Sequence, residues 1–224
     1  MERACSLIST LTIYFNLENL FAPNLLWKRF LFVYPLFMNI LHIDSCALGD
    51  NSTSRQITSA ATAALTSANS QATVLYRDLA AAPLSHASGP LLQVISQRWD
   101  AGIPMNAGLR AEALQSASLL QEFQEADVIV LGAPMHNFSV PSTLKAWLDR
   151  LLELQIAAGR PRANAKLVLV TSGCAVMGQQ SREELLDNHE LQLKAAFNFI
   201  GVGRVDVVRQ LADLPRALAL ETAT

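Results

Sequence analysis

From residue 38 onward the sequence alternates short runs of strand-forming apolar residues with segments of helical periodicity, and that alternation constrains the fold most. Apolar runs at 40–43, 73–76, 127–131, 166–171 and 204–208 read as five strands. Residues 52–68, 109–126 and 182–199 read as helices. Another surrounds Leu144, Trp147, Leu148, Leu151 and Leu152, whose i, i+3, i+4, i+7, i+8 spacing lines one face. The 109–126 helix is expected to turn Ala113, Ala117, Leu120 and Phe123 inward, and the 182–199 helix Leu186, Leu193 and Phe197. Residues 83–104, with scattered Pro, Ser and Gly, read as loop, and the Ala/Leu-rich tail as a last short helix. Strands alternating with helices imply a parallel sheet covered on both faces. Five of them suit an α/β doubly wound sheet of order 2-1-3-4-5, which binds ligands beyond the carboxyl ends of strands 1 and 3.

Composition excludes several classes. A chain of 224 residues that is 51% hydrophobic and 16% charged is no disordered polyelectrolyte. Seventeen basic residues against nineteen acidic, a net charge of −2, argue against a nucleic-acid partner. The three cysteines, Cys5, Cys46 and Cys174, are scattered and form no C-x-x-C pair, so neither a disulfide framework nor a zinc site is expected and a cytoplasmic setting is. Residues 1–37 stand apart, rich in Leu, Phe and Tyr, with Glu2, Arg3, Glu18, Lys28 and Arg29 their only charges. The run at 7–15 is followed by no small-x-small cleavage site. The run at 30–43 is 14 residues long and is broken by Pro35, Asn39 and His42. A spanning helix needs roughly 18 or more uninterrupted apolar residues, so no membrane contact is expected. Residues 1–37 are read as an extension, from a misassigned start or unstructured, ahead of one domain at 38–224.

Three loops carry candidate chemistry. Asp44-Ser45-Cys46-Ala47-Leu48-Gly49-Asp50-Asn51-Ser52-Thr53-Ser54 joins strand 1 to a helix N-terminus and is dense in hydroxyls. Unpaired N–H groups and the helix dipole favour a phosphate there, although Asn51 or Ser52 also suits a simple helix cap. The loop is neither a Walker loop nor G-x-G-x-x-G, so ATP and a Rossmann-bound dinucleotide are not indicated. Ala133-Pro134-Met135-His136-Asn137-Phe138 ends strand 3 and suits either a flat heterocycle or an ordinary loop with Met135 and Phe138 in the core. Thr171-Ser172-Gly173-Cys174-Ala175 ends strand 4, where small residues let a ligand approach the backbone closely. All three fall on one edge of the expected sheet.

Residues 42–56, His-Ile-Asp-Ser-Cys-Ala-Leu-Gly-Asp-Asn-Ser-Thr-Ser-Arg-Gln, resemble the phosphate loop of the FMN-dependent NADH-azoreductases, which also act as quinone reductases. Pro134-Met135-His136-Asn137-Phe138 and the helix after it resemble that family's Pro-Met-Tyr-Asn-Phe signature, and Arg77-Asp78-Leu79 also fits. The resemblance runs from residue 38 to about 208. It implies a flavodoxin-like, homodimeric flavoprotein that carries hydride from NADH or NADPH, through flavin N5, to a quinone or azo acceptor in a ping-pong cycle. FMN phosphate would fall on Cys46, Ser52, Thr53 and Ser54. The isoalloxazine would lie against Met135, His136, Asn137 and Phe138, with Ser172, Gly173, Cys174 and Ala175 on its other side. No side-chain acid or base is nominated, because the cofactor holds the hydride.

The chain departs from that pattern in four places. Cys46 stands where serine is usual; its thiol is a weaker donor, so either it lines the phosphate site all the same or Ser45 takes over. His136 replaces the tyrosine, either as ring for ring or as a titrating group. Ser172-Gly173-Cys174-Ala175 replaces Ser-x-Gly-Gly. Residues 154–166 are short and lack the aromatic pair of the family's lid, which is expected to expose the flavin and alter acceptor choice. Arg160, Arg162 and Lys166 there read either as a solvated basic loop or as contacts for a nicotinamide phosphate.

Overall fold

In the computed structural model, five strands form one all-parallel sheet of order β2-β1-β3-β4-β5. The structure describes residues 37–98, 102, 104–158, 165–173 and 179–219. The extension at 1–37, apart from Phe37, therefore lies outside the described residues. The elements run β1 (Met38–Asp44), α1 (Thr53–Ala68), β2 (Ala72–Asp78), α2 (Gly89–Ile95), α3 (Ala107–Glu125), β3 (Val128–Gly132), α4 (Ser142–Ala158), β4 (Lys166–Val170), α5 (Gln179–Phe199), β5 (Arg204–Val208) and α6 (Leu214–Leu218).

Period-two alternation sorts the strands' side chains to two faces. Leu41, Ile43, Ile129, Leu131, Leu167 and Leu169 pack with Phe123 of α3, Trp147 of α4 and Phe197 of α5. Met38, Ile40, Val128, Val130, Val168 and Val170 meet Ile57, Ala61 and Leu65 of α1 and Leu214 of α6 on the other. The register places Asp78, Asp44, Gly132, Val170 and Val208 in one row across the carboxyl edge. That row sets out the loops of the site.

Two helices differ from the sequence pattern. The 83–104 stretch, expected as loop, contains α2, seven residues long. Ser88 caps it by accepting from the Leu91 amide at 3.2 Å, Pro90 sits in its first turn, and Leu91 and Ile95 pack on Leu109 of α3. The punctuation that suggested loop is a helix start. α3 buries Leu109, Ser116, Leu119 and Phe123, while Ala117 is exposed. Its face is rotated because Ser116 meets a buried arginine: its hydroxyl accepts from Arg150 Nη1 at 3.0 Å.

Lys166 lies in no solvated loop. It opens β4, buried, with Nζ 3.3 Å from Asp206 and 3.4 Å from the Ala219 carbonyl, at the sheet's amino end, away from the carboxyl-end loops. Arg160 and Arg162 lie outside the described residues.

Candidate cofactor cleft

The β1–α1 loop is pinned at both ends. At its start Ser45 Oγ donates to the Gly132 carbonyl at 2.6 Å, joining β1 to β3. Ser45 is fully buried and its one hydroxyl proton is committed there, so it does not stand in for the thiol of Cys46. At the loop's end a 3₁₀ turn, Gly49–Asn51, leads into α1, and Gly49 adopts φ +56, a left-handed conformation that favours glycine. Ser52 caps α1, its Oγ accepting from the Arg55 amide at 3.3 Å and lying 2.9 Å from Ser54 Oγ.

The β3 loop is a tight turn. His136 and Ser139 exchange amide–carbonyl hydrogen bonds at 2.7 and 2.9 Å. Between them Asn137 and Phe138 have φ of 46 and 70. Two positive φ values in succession are the mark of a type I′ turn, tolerated by asparagine and strained for phenylalanine. The Met135 amide donates to the Ser172 carbonyl at 2.8 Å, and the Ala133 amide to that of Val170 at 2.8 Å, so the β3 and β4 loops continue the sheet's pairing.

These loops enclose a cleft of about 450 Å³. Cys46, Ser52 and Thr53 line it from the first loop, Met135 and His136 from the second, and Ser172 and Gly173 from the third. Cys46 Sγ lies 3.9 Å from His136 Nε2, so two of the sequence's departures are neighbours in space. Ser54 is buried behind Ser52, while Asn137 and Phe138 are exposed next to His136 in the chain. Cys174 and Ala175 lie outside the described residues, as do 159–164 of the shortened lid segment. Among the described residues no group of side chains suits a metal ion.

Sequence reasoning missed the far wall, formed by Leu186 of α5 and Arg209 just beyond β5. The signal was there for Arg209, because it directly follows a strand whose carboxyl end shares the edge. Glu190 organises this wall: it accepts from Thr171 Oγ1 at 2.7 Å and from Arg209 Nε and Nη2 at 2.7 and 2.8 Å, and Asp187 also pairs with Arg209. Both carboxylates hold the guanidinium well above its ordinary pKa.

His189 is buried on the neighbouring turn of α5, with Nε2 3.0 Å from the Ala133 carbonyl at the base of the second loop. Burial pushes its pKa below the ordinary 6.5, against the opposing pull of that carbonyl and of Glu190. The native state therefore holds it neutral, while the unfolded chain takes up a proton near 6.5. The stability from neutral His189 is present above about pH 6.5 and is lost as pH falls from there toward the native value. Urea midpoints measured between pH 7.5 and 5 should fall, and the fall should be smaller in His189→Gln.

An open parallel sheet of order 2-1-3-4-5 with a cleft across its carboxyl edge is the flavodoxin-like arrangement. The chain belongs to that family: the model described as "Flavodoxin-like fold" matches residues 38–221. It is similar to the FMN-dependent NADH:quinone oxidoreductase of Methylocella silvestris, at 40% identity over 197 residues, 83% of this chain and 95% of that one. An FMN-dependent NADH:quinone oxidoreductase of Pseudomonas fluorescens is 42% identical over 180 residues, 77% of this chain and 85% of the other. Among solved structures, an FMN-dependent NADH-azoreductase from Bacillus anthracis in complex with FMN superposes with a TM-score of 0.61 at 18% identity, covering 81% of this chain and 92% of that one.

Proposed function

We propose that this chain is an FMN-dependent NAD(P)H oxidoreductase that reduces quinones and azo compounds by two electrons. The observation that carries the reading is the cleft, which brings the capped start of α1, the Met135–His136 turn and the small-residue loop at Ser172–Gly173 around one space. Relatives about 40% identical over their near-full length are named as FMN-dependent NADH:quinone oxidoreductases.

The residues fit that cofactor. A volume of about 450 Å³ is within the range of small-molecule sites. Ser52, Thr53 and the first amides of α1 are phosphate donors at the positive end of a helix dipole. Met135 and His136 offer a soft apolar surface and a ring on one side, and Gly173 permits close approach on another. Cys46 contributes a weak donor and Ser54 supports Ser52 from behind. Asn137, Phe138, Cys174 and Ala175 complete the assignment by resemblance. Bound there, FMN would supply the two-electron redox chemistry between NADH or NADPH and the acceptor. The chain's own residues bind and orient, and no side chain of the cleft is assigned as acid or base.

The same reading includes a cytoplasmic homodimer. Leu48 and Phe138, both 65% exposed and both on cleft loops, are apolar surface that a second copy would cover. Among the described residues no helix is long and apolar enough to cross a membrane. Light scattering should then give twice the 24.4 kDa chain mass.

The purified protein should be yellow, its flavin absorbance should bleach on anaerobic addition of NADH, and colour should return with benzoquinone. A colourless protein that neither takes up FMN nor oxidises NADH in the presence of quinone would overturn the reading.

A further inference from the structure

Arg55 lies in the first turn of α1 and reaches back across the base of the first loop. Its Nε and Nη2 both donate to the Cys46 carbonyl, at 3.0 and 2.8 Å. Its Nη1 and Nη2 meet the two carboxylate oxygens of Asp78 at 2.7 Å each, and Nη1 also donates to Tyr76 Oη at 3.2 Å. Asp44 lies 3.8 Å from Nη1 and accepts from Tyr76 Oη at 3.0 Å and Thr58 Oγ1 at 2.8 Å. The fork is matched by a fork, the geometry that makes arginine irreplaceable by lysine. Arg55 holds Asp78 at a pKa of about 2, against burial and with help from the Ala81 and Ala80 amides.

Two features decide what this arrangement does. Arg55 does not line the cleft, whereas Cys46, Ser52 and Thr53 do. Its charge is matched by Asp78, so it is no free cation for an anionic ligand. What it does control is a carbonyl. A phosphate loop must present N–H groups and keep C=O groups from facing the anion. At Cys46 two donors of the guanidinium, from Nε and Nη2, occupy the carbonyl oxygen, while the Ser52 cap holds the loop's other end through the amide of this same residue.

We infer that Arg55 is a positioning residue that turns the Cys46 carbonyl out of the cleft and so tunes the first loop for a phosphate, with Asp78 as its anchor. The inference rests on the proposal that FMN phosphate occupies that loop. It makes Arg55 a determinant of preference for the phosphorylated flavin without contact to it.

The test titrates the full chain with FMN and with riboflavin, which lacks the phosphate, at several salt concentrations. Arg55→Gln should weaken FMN about 10- to 100-fold, as for loss of charge-assisted hydrogen bonds, and riboflavin by no more than about twofold. In Arg55→Lys the net charge beside the loop is unchanged, and the salt dependence of FMN binding should match the wild type. Arg55→Lys, which keeps the charge but not the fork, should show the same selective loss to a smaller degree, and serves if the glutamine variant does not fold. Equal weakening of both flavins, unchanged FMN affinity, or a flattened salt dependence in the lysine variant would each overturn the inference. A wild type that binds FMN no better than riboflavin would instead overturn the phosphate placement on which it rests.

Discussion

Trp147→Ala is expected to lower the unfolding free energy by about 3–5 kcal/mol, the cost of removing a large buried aromatic and leaving a cavity. Trp147 is 1% exposed at the centre of α4. Its ring lies 6.3 Å from that of Phe123 on α3 and 6.4 Å from that of Phe197 on α5. One side chain therefore joins its own helix to two others over the same sheet face, and neighbours on separate elements cannot all collapse inward. Each aromatic contact adds about 0.5–1.5 kcal/mol beyond area burial. Trp147→Phe, which keeps a ring, should lose less. Urea denaturation of both variants checks this, and a loss below about 1 kcal/mol in the alanine variant would contradict the packing.

Arg150→Ala is expected to cost a similar amount, for a polar reason. Its guanidinium is fully buried, donating to Ser85 Oγ at 2.7 Å, the Ser85 carbonyl at 2.9 Å and Ser116 Oγ at 3.0 Å, with the Glu112 carboxylate 3.8 Å away. Truncation opens a cavity and takes a charged donor from the buried Ser116 hydroxyl, and a large-to-small change at a fully buried site costs about 2–5 kcal/mol. Arg150→Met restores most of the volume but none of the donors, and should lose about 1–3 kcal/mol. The difference between the two separates packing from hydrogen bonding. Equal losses would show that space-filling contributes little at this position.

The same residue shows where sequence legibility ended. The helix of Leu144, Trp147, Leu148 and Leu151 was readable because apolar periodicity marks an inward face. Arg150, between two of those positions, reads as a solvent-facing charge, and only the structure reveals the partners that keep it buried. Ser116 is the matching case on α3: a polar residue on the inward face displaced the alanine stripe that periodicity favoured. The five strands and their order were legible because runs such as 128–131 and 167–170 are apolar on both faces. The three loops were legible as loops at strand ends, and seven of the twelve assigned residues line one cleft. The Arg55 clasp was not, since 9 residues separate Arg55 from Cys46 and 23 separate it from Asp78. The fourth wall was only half legible: Leu186 fits a core stripe, and Arg209 lies outside every motif, marked only by its place directly after a strand.

The hydrogen bonds that carry β-pairing past the ends of β3 and β4 bear on the energetics of the cleft. The Ala133, Met135 and Thr171 amides find partners on the neighbouring strand or loop as though the sheet had not ended. Fixing a residue's backbone costs about 1–2 kcal/mol of conformational entropy. For these residues that cost falls at folding, together with the core. A ligand entering the cleft meets these backbone segments already ordered, so its interaction energy is not spent on freezing them.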